Sequence, residues 1–334
     1  MPTLKTSIEI NAALQTVWSI LDNLPAYPEW NALVPDMTGL TVVGETLHGT
    51  LKQPNTPDIP LNPVLTRIIG ARELRWLTEA PEPGVFRAEH RFKLTPLPGG
   101  RTRLDHDEDF EGVAVAEMWD GIAVNGRAAY EAFNRDLKAR AESVAHAPVA
   151  LHPALAAAHA AEAPENTTLR CQCAADPVIV ELDAPVRHNH LCGCSQCWKP
   201  QGALFAQIAV APAGSARVTQ GADKLTVVNP GQSIERHACR ACGTHMVGRV
   251  PDRAHHFFGL DFIHPERADA AMPAPEFAAF VSSVIETGTD PSRMAAIRAA
   301  LANAGVPAFD AFSSEIMDLI AWHRMKLARS RSPN

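Results

Sequence analysis

All seven cysteines of this 334-residue chain lie between Cys171 and Cys242, in three short groups: Cys171-x-Cys173, Cys192-x-Cys194-x-x-Cys197 and Cys239-x-x-Cys242. Two thiols one or two residues apart let a single turn supply two soft ligands to one tetrahedral ion, an arrangement that suits Zn2+. The first residues, Met1 to Glu9, lack the continuous apolar core of a secretion signal. With an odd cysteine count, that argues for thiolate metal ligands, and redox pairing is the lesser reading. Seven thiols divide most simply into a closed four-cysteine site and an open three-cysteine site, the second keeping one position for water or a substrate atom. Spacing alone allows two partitions. Cys194 and Cys197 with Cys239 and Cys242 would make a zinc-ribbon pair, whereas Cys171 and Cys173 with Cys239 and Cys242 leave Cys192, Cys194 and Cys197 as a triad. Two metals that only hold a small β fold together are the competing structural reading.

The neighbouring residues offer the rest of the chemistry. His190, His237, His245, Asp261 and His264 are candidates for proton transfer, each against the alternative of a histidine or carboxylate that only satisfies or orients its neighbours. Lys199 and Arg236 are candidates for holding carboxylates, and Trp198 reads as packing that shields the metal.

The chain that must position these residues is long enough for two domains, and the first half has no cysteine at all. Thirty Lys and Arg against 37 Asp and Glu leave a net charge of −7, which counts against nucleic acid as a partner. No apolar run approaches the length a membrane-spanning helix needs, so neither a membrane nor a secreted location is expected and the expected location is cytoplasmic.

In the first half, Leu4 to Asn11 alternates as a half-buried strand, and Asn11 is placed to cap a helix carrying Leu14, Val17, Trp18 and Leu21 on one face. Short β-type runs follow at 40–43, 46–52, 64–69, 73–78, 85–95 and 101–110, and the spacing from Val113 to Ser143 predicts one long closing helix. Within 101–110, Asp105, Asp107, Asp109 and Glu111 share one face and Leu104, His106, Glu108 and Phe110 the other, so the acidic run reads as a solvated strand face. Trp18, Trp30, Trp76 and Trp119 read as core or pocket wall. This order, with Ile8-Glu9-Ile10-Asn11-Ala12, Val17-Trp18 and Asp22 to Asn31, resembles the START-like polyketide cyclase/dehydrase (SRPBCC) superfamily. The resemblance implies an α+β helix-grip domain over residues 1–145 with a cavity for a hydrophobic small molecule.

Residues 146–166 read as an Ala-, His- and Pro-rich linker or docking arm, with a short helix conceivable at Leu155 to Ala163. Beyond it, Leu169 to Cys173, His188 to Phe205, Arg236 to Met246 and Gly259 to His264 are similar to the glutathione-dependent formaldehyde-activating enzymes, the S-(hydroxymethyl)glutathione synthases of the centromere protein V-like zinc family. The resemblance implies a β-rich, zinc-binding Mss4-like domain with C-terminal helices over residues 167–327. It implies two zinc ions: a structural one on Cys171, Cys173, Cys239 and Cys242, and a catalytic one on Cys192, Cys194 and Cys197. The implied partners are glutathione and formaldehyde, and the implied activity is a carbon–sulfur lyase that condenses them in formaldehyde detoxification. His190, Asp261 and His264 are then the proton-transfer candidates, and Lys199 and Arg236 the candidates for the glutathione carboxylates. The rival readings are a glutathione or formaldehyde carrier without catalysis, and a zinc scaffold whose first domain does the ligand binding. The segments 294–302 and 316–327 read as helices without visible chemistry.

Overall fold

The computed structural model describes residues 1–53 and 57–331, with side chains through residue 326. The chain divides into two compact units, Met1–Pro148 with Asp290–Ala296, and Val149–Thr289 with Ile297–Asn334.

The first unit is a curved antiparallel sheet gripping a helix. It runs β1 (Thr3–Ile10), α1 (Leu14–Leu21), β2 (Gly49–Leu51), β3 (Ile59–Leu61), β4 (Val64–Ile69), β5 (Glu73–Glu79), β6 (Arg87–Leu97), β7 (Arg101–Glu111), α2 (Val115–Gly121) and α3 (Arg127–His146). The main sheet has the order β1-β7-β6-β5-β4, and β2 pairs with β3 alone. On α3, Ala129, Phe133, Leu137 and Ala141 recur four residues apart, so one stripe of the helix is buried against the concave face. Phe92, Leu94, Leu104, Trp76 and Tyr27 complete the core.

Three local expectations change. Asn11 does not cap α1, whose N-cap position is Ala13; the Asn11 backbone N–H donates to Glu142 Oε1 at 2.7 Å, tying the strand end to α3. Residues 40–43 form no strand: Leu40, Val42 and Val43 are more than half exposed, with no neighbouring strand to pair against. The long helix is two helices joined by a π turn at Ile122–Gly126, where Asn125 and Gly126 are weak helix formers.

The second unit is β-rich. Its strands are β8 (Thr167–Arg170), β9 (Ile179–Leu182), β10 (Arg187–Cys192), β11 (Ala206–Pro212), β12 (Ala216–Gln220), β13 (Leu225–Val227), β14 (Glu235–Cys239), β15 (His245–Arg249), β16 (Leu260–Ile263) and β17 (Phe277–Ala279), followed by α4 (Met294–Asn303) and α5 (Ser314–Arg331). Seven strands form one sheet in the order β13-β14-β15-β16-β11-β10-β17, and β12-β9-β8 form a second. The arm preceding β8 holds a single 3-10 turn, Pro153–Ala156, instead of a helix. Leu151, His152 and Ala154 are buried there, and the Phe205 N–H donates to the Leu151 carbonyl at 3.2 Å. Among the described residues no helix is long and apolar enough to cross a membrane.

Candidate functional site

The thiols of Cys171, Cys173, Cys239 and Cys242 come together, all within 4.8 Å of one another. Strand β8 ends at the first pair, and β14 leads into the second. Gly243, at φ 72°, closes the turn after Cys242 and donates its N–H to the Cys239 carbonyl at 2.7 Å. That left-handed conformation costs glycine nothing and a side-chain-bearing residue much more. None of the seven cysteines is in a disulfide. Four sulfurs around zinc at about 2.3 Å would sit about 3.8 Å apart. Cys173 Sγ and Cys239 Sγ are 3.8 Å apart, so this group fits a tetrahedral ion.

Cys192, Cys194 and Cys197 form a second cluster within the same limit, with Cys194 Sγ and Cys197 Sγ 3.3 Å apart. Strand β10 delivers Cys192, pairing parallel with β17 in register Cys192↔Ala279. The chain then turns so tightly past Phe280 that a Cβ at Gly193 would lie 2.2 Å from the Phe280 carbonyl oxygen. Only glycine fits between the two thiols. Hydrogen bonds from Cys192 and Cys197 pull the Cys194 sulfur strongly toward thiolate, and the same partnership pushes Cys192 up. Three soft donors with one tetrahedral position left over fit zinc in an open site.

These three thiols line a pocket of about 210 Å3 whose other walls are mainly apolar, including Ile208, Val247, Phe262, Phe280 and Phe312. His190, Arg236, His245 and His264 also line it. His190 Nδ1 is 2.8 Å from the His188 carbonyl, so it carries the proton, and the ring stacks on Phe277 at 4.9 Å. Burial lowers its pKa to about 4. His245 is likewise lowered to about 4, by burial and then by His264 and Arg236. The Arg236 guanidinium lies 3.9 Å from Cys197 Sγ.

The other predicted residues are placed elsewhere. Asp261 faces away from the pocket: its Oδ2 accepts the Gly214 N–H at 2.9 Å, fastening the β11–β12 turn. Lys199 Nζ is fixed on the Cys194 carbonyl at 2.8 Å, bracing the cysteine loop from behind. His237 is half-buried on β14, outside the pocket lining. Trp198 packs edge-on against His264, with ring centroids 5.4 Å apart.

Two residues not singled out in the sequence belong to the site. Glu266 Oε1 lies 3.3 Å from His264 Nδ1 and 3.8 Å from His152 Nε2. His152 Nδ1 accepts the Ala154 N–H, which leaves its proton on Nε2, facing Glu266. Burial raises the Glu266 pKa, but His264 and His152 outweigh it and hold the carboxyl down to about 2. The His264-Pro265-Glu266 spacing was a signal for this pair; His152, more than a hundred residues upstream, left none.

A helix-grip unit followed by a β-rich unit with two cysteine clusters defines the class. A family model described as polyketide cyclase / dehydrase and lipid transport matches residues 1–142, and one described as glutathione-dependent formaldehyde-activating enzyme matches residues 166–282. A protein of Fusarium vanettenii named as a glutathione-dependent formaldehyde-activating enzyme is 49% identical over 160 residues, covering 47% of this chain and 86% of that protein. The chain belongs to the glutathione-dependent formaldehyde-activating enzyme family through its second unit. Among solved structures, the Zhui aromatase/cyclase of Streptomyces sp. R1128 is 14% identical with a TM-score of 0.37, covering 44% of this chain and 96% of that one. A START superfamily protein of Mycobacterium smegmatis is 20% identical with a TM-score of 0.34, covering 41% and 95%.

Proposed function

We propose that the second unit is an S-(hydroxymethyl)glutathione synthase, a carbon–sulfur lyase written in the condensing direction, working at the three-cysteine cluster. The observation that carries this reading is the contrast in that cluster: three convergent thiols, one ligand short of a closed site, opening into an apolar pocket that also presents an arginine and a histidine–carboxylate pair. Zinc held by Cys192, Cys194 and Cys197 would supply an open position and positive charge that keep a glutathione sulfur ionised at neutral pH, where a free thiol is mostly protonated.

The protein's own groups do the rest. His264 Nδ1 donates to Glu266, so Nε2 is the ring nitrogen left with a lone pair to take the thiol proton. The ionised Glu266 stabilises the imidazolium that results. As sulfur attacks the formaldehyde carbon, the C–S bond forms and the C=O π pair moves onto oxygen, which receives that same proton from His264 Nε2. The thiol hydrogen therefore ends on the product hydroxyl, and histidine and carboxylate return to their starting forms. Arg236, at the pocket wall, is placed for a carboxylate of the tripeptide. The apolar walls limit water, which would otherwise compete for the aldehyde by hydrating it.

Exchange NMR on glutathione and formaldehyde, with and without protein, tests this. The expected result is acceleration over the uncatalysed reaction, abolished in Cys194→Ser while the fold persists. Glutathione bound without acceleration would make the protein a carrier and overturn the reading.

A further inference from the structure

The first unit buries a polar cluster that the chemistry of the second does not use. Strands β6 and β7 pair in the register His90↔Glu108 and Phe92↔His106, so both histidines and the glutamate point to the concave face. Tyr130 reaches them from α3. All four are at least nine-tenths buried, and all four line a cavity of about 580 Å3 whose walls include Trp76, Phe86, Phe92, Phe110 and Phe133.

The direction of every hydrogen bond in this cluster follows from one fixed end. The His106 backbone carbonyl only accepts, so the Thr6 hydroxyl donates to it, at 3.1 Å. Thr6 Oγ1 then accepts from Asn134 Nδ2 at 2.9 Å, which turns Asn134 Oδ1 toward His106 Nδ1 at 2.7 Å. His106 therefore carries its proton on Nδ1 and offers the lone pair of Nε2 to the Nε2–H of His90, 2.5 Å away. His90 is left with a lone pair on Nδ1, 3.5 Å from Glu108 Oε1. The Tyr130 hydroxyl donates to the other Glu108 oxygen. With every member uncharged, each donor from Thr6 to His90 meets an acceptor, and the lone pair of His90 Nδ1 is left facing Glu108. Burial supports this, lowering the pKa of His90 to about 3 and raising that of Glu108 to about 8, the latter helped by Asp109. Burial and then His90 push His106 well down as well.

The Thr6, His106, His90 and Tyr130 protons are thereby committed. What remains for the cavity is the acid proton of Glu108 beside the acceptor lone pairs of Tyr130, one donor and one acceptor, with the His90 Nδ1 lone pair as a further acceptor. That pair is the complement of a hydroxyl group, which gives one hydrogen bond and takes one. A carboxylate only accepts; it would meet the Tyr130 lone pairs and bring an unpaired charge into an apolar cavity.

We propose that the cavity of the first unit is a binding site for an uncharged, largely apolar molecule bearing a hydroxyl group, which docks on Glu108 and Tyr130, and that it rejects the carboxylate of the same skeleton. The aromatic walls favour a flat ring system.

The test uses the full chain, with 2-naphthol, naphthalene and 2-naphthoate as probes at pH 7 in equilibrium dialysis. A hydrogen-bonded hydroxyl in a dry site is worth about tenfold in affinity, so 2-naphthol should bind about tenfold more tightly than naphthalene and more tightly still than 2-naphthoate. Tyr130→Phe keeps the ring and removes the acceptor. It should erase the gap between naphthol and naphthalene while leaving naphthalene bound as before, which a folding defect would not do. Equal binding of the three, 2-naphthoate binding tightest, no binding of any probe, or a gap that survives in Tyr130→Phe would each overturn the proposal.

Discussion

The two units bury polar groups in opposite ways. In the first, Thr6, Asn134, His106, His90 and Glu108 form a neutral relay anchored on a backbone carbonyl, in which the protein pairs its own groups from Thr6 to His90. In the second, seven thiols converge without disulfides, and the atoms His245 Nδ1, His152 Nε2 and Glu266 Oε2 are buried without a hydrogen-bond partner. Buried polar groups are ordinarily paired. These three lie at or beside the cysteine pocket, where the proposed chemistry brings in an ion and a substrate, while Thr16 Oγ1, Trp30 Nε1 and Asn31 Nδ2 are unpaired in the first unit.

The comparison breaks most easily at the four-cysteine cluster. Cys239→Ser should abolish the metal binding proposed for this cluster, which would tie β8 to β14, and with it several kcal/mol of stability in the second unit. Calorimetry should then show that unit's transition lost while the transition of the first unit stays; elemental analysis should show one zinc fewer. A change confined to the proton relay comes next. His264→Ala should lower kcat about 100-fold, the typical worth of a positioned acid–base group. Glu266→Gln should lower it less and change the pH profile of kcat, a shift that a merely structural role would not produce. A smaller effect is expected at the pocket wall, where Arg236→Ala should raise KM for glutathione about tenfold, with kcat nearly unchanged.

A further expected effect lies in the first unit and concerns pH. Glu108 ionises near 4.5 in the unfolded chain and near 8 in the folded one, so between those values the folded state holds a proton that the unfolded state has released. Stability should therefore fall as pH rises through that window, by about 1.4 kcal/mol per pH unit from this group. Glu108→Gln should flatten the slope, measured by denaturant titration from pH 5 to pH 8. An unchanged slope would mean that Glu108 is ionised in the fold and the relay is not neutral.

Much of this was legible in the residue order. The alternation in β1 and the i, i+3, i+4, i+7 spacing in α1 carry period information, so both elements could be read without tertiary contacts. The three cysteine groups could be read because metal-ligand spacing is local. The division of the acidic run 105–111 into two faces was also legible, but the consequence for Glu108 was not. Its burial depends on His90, eighteen positions away on the partner strand, and on Tyr130 from α3, and such pairings leave no local trace. Asp261 misled for the same reason, since its partner is a backbone N–H at Gly214. His152 lay in a stretch whose composition suggested a linker, and only the chain-long folding of the second unit brings it to Glu266.

The central claim is that the three-cysteine cluster keeps a ligand position for a thiol and the four-cysteine cluster does not. Cobalt(II) substitution followed by glutathione titration tests this most directly, because sulfur-to-cobalt absorption reports the number of thiolates on each ion. The account predicts a glutathione-dependent gain of one thiolate at one of the two ions, lost in Cys194→Ser and unaffected at the other. A spectrum that glutathione leaves unchanged, in a protein that still accelerates the condensation, would contradict it.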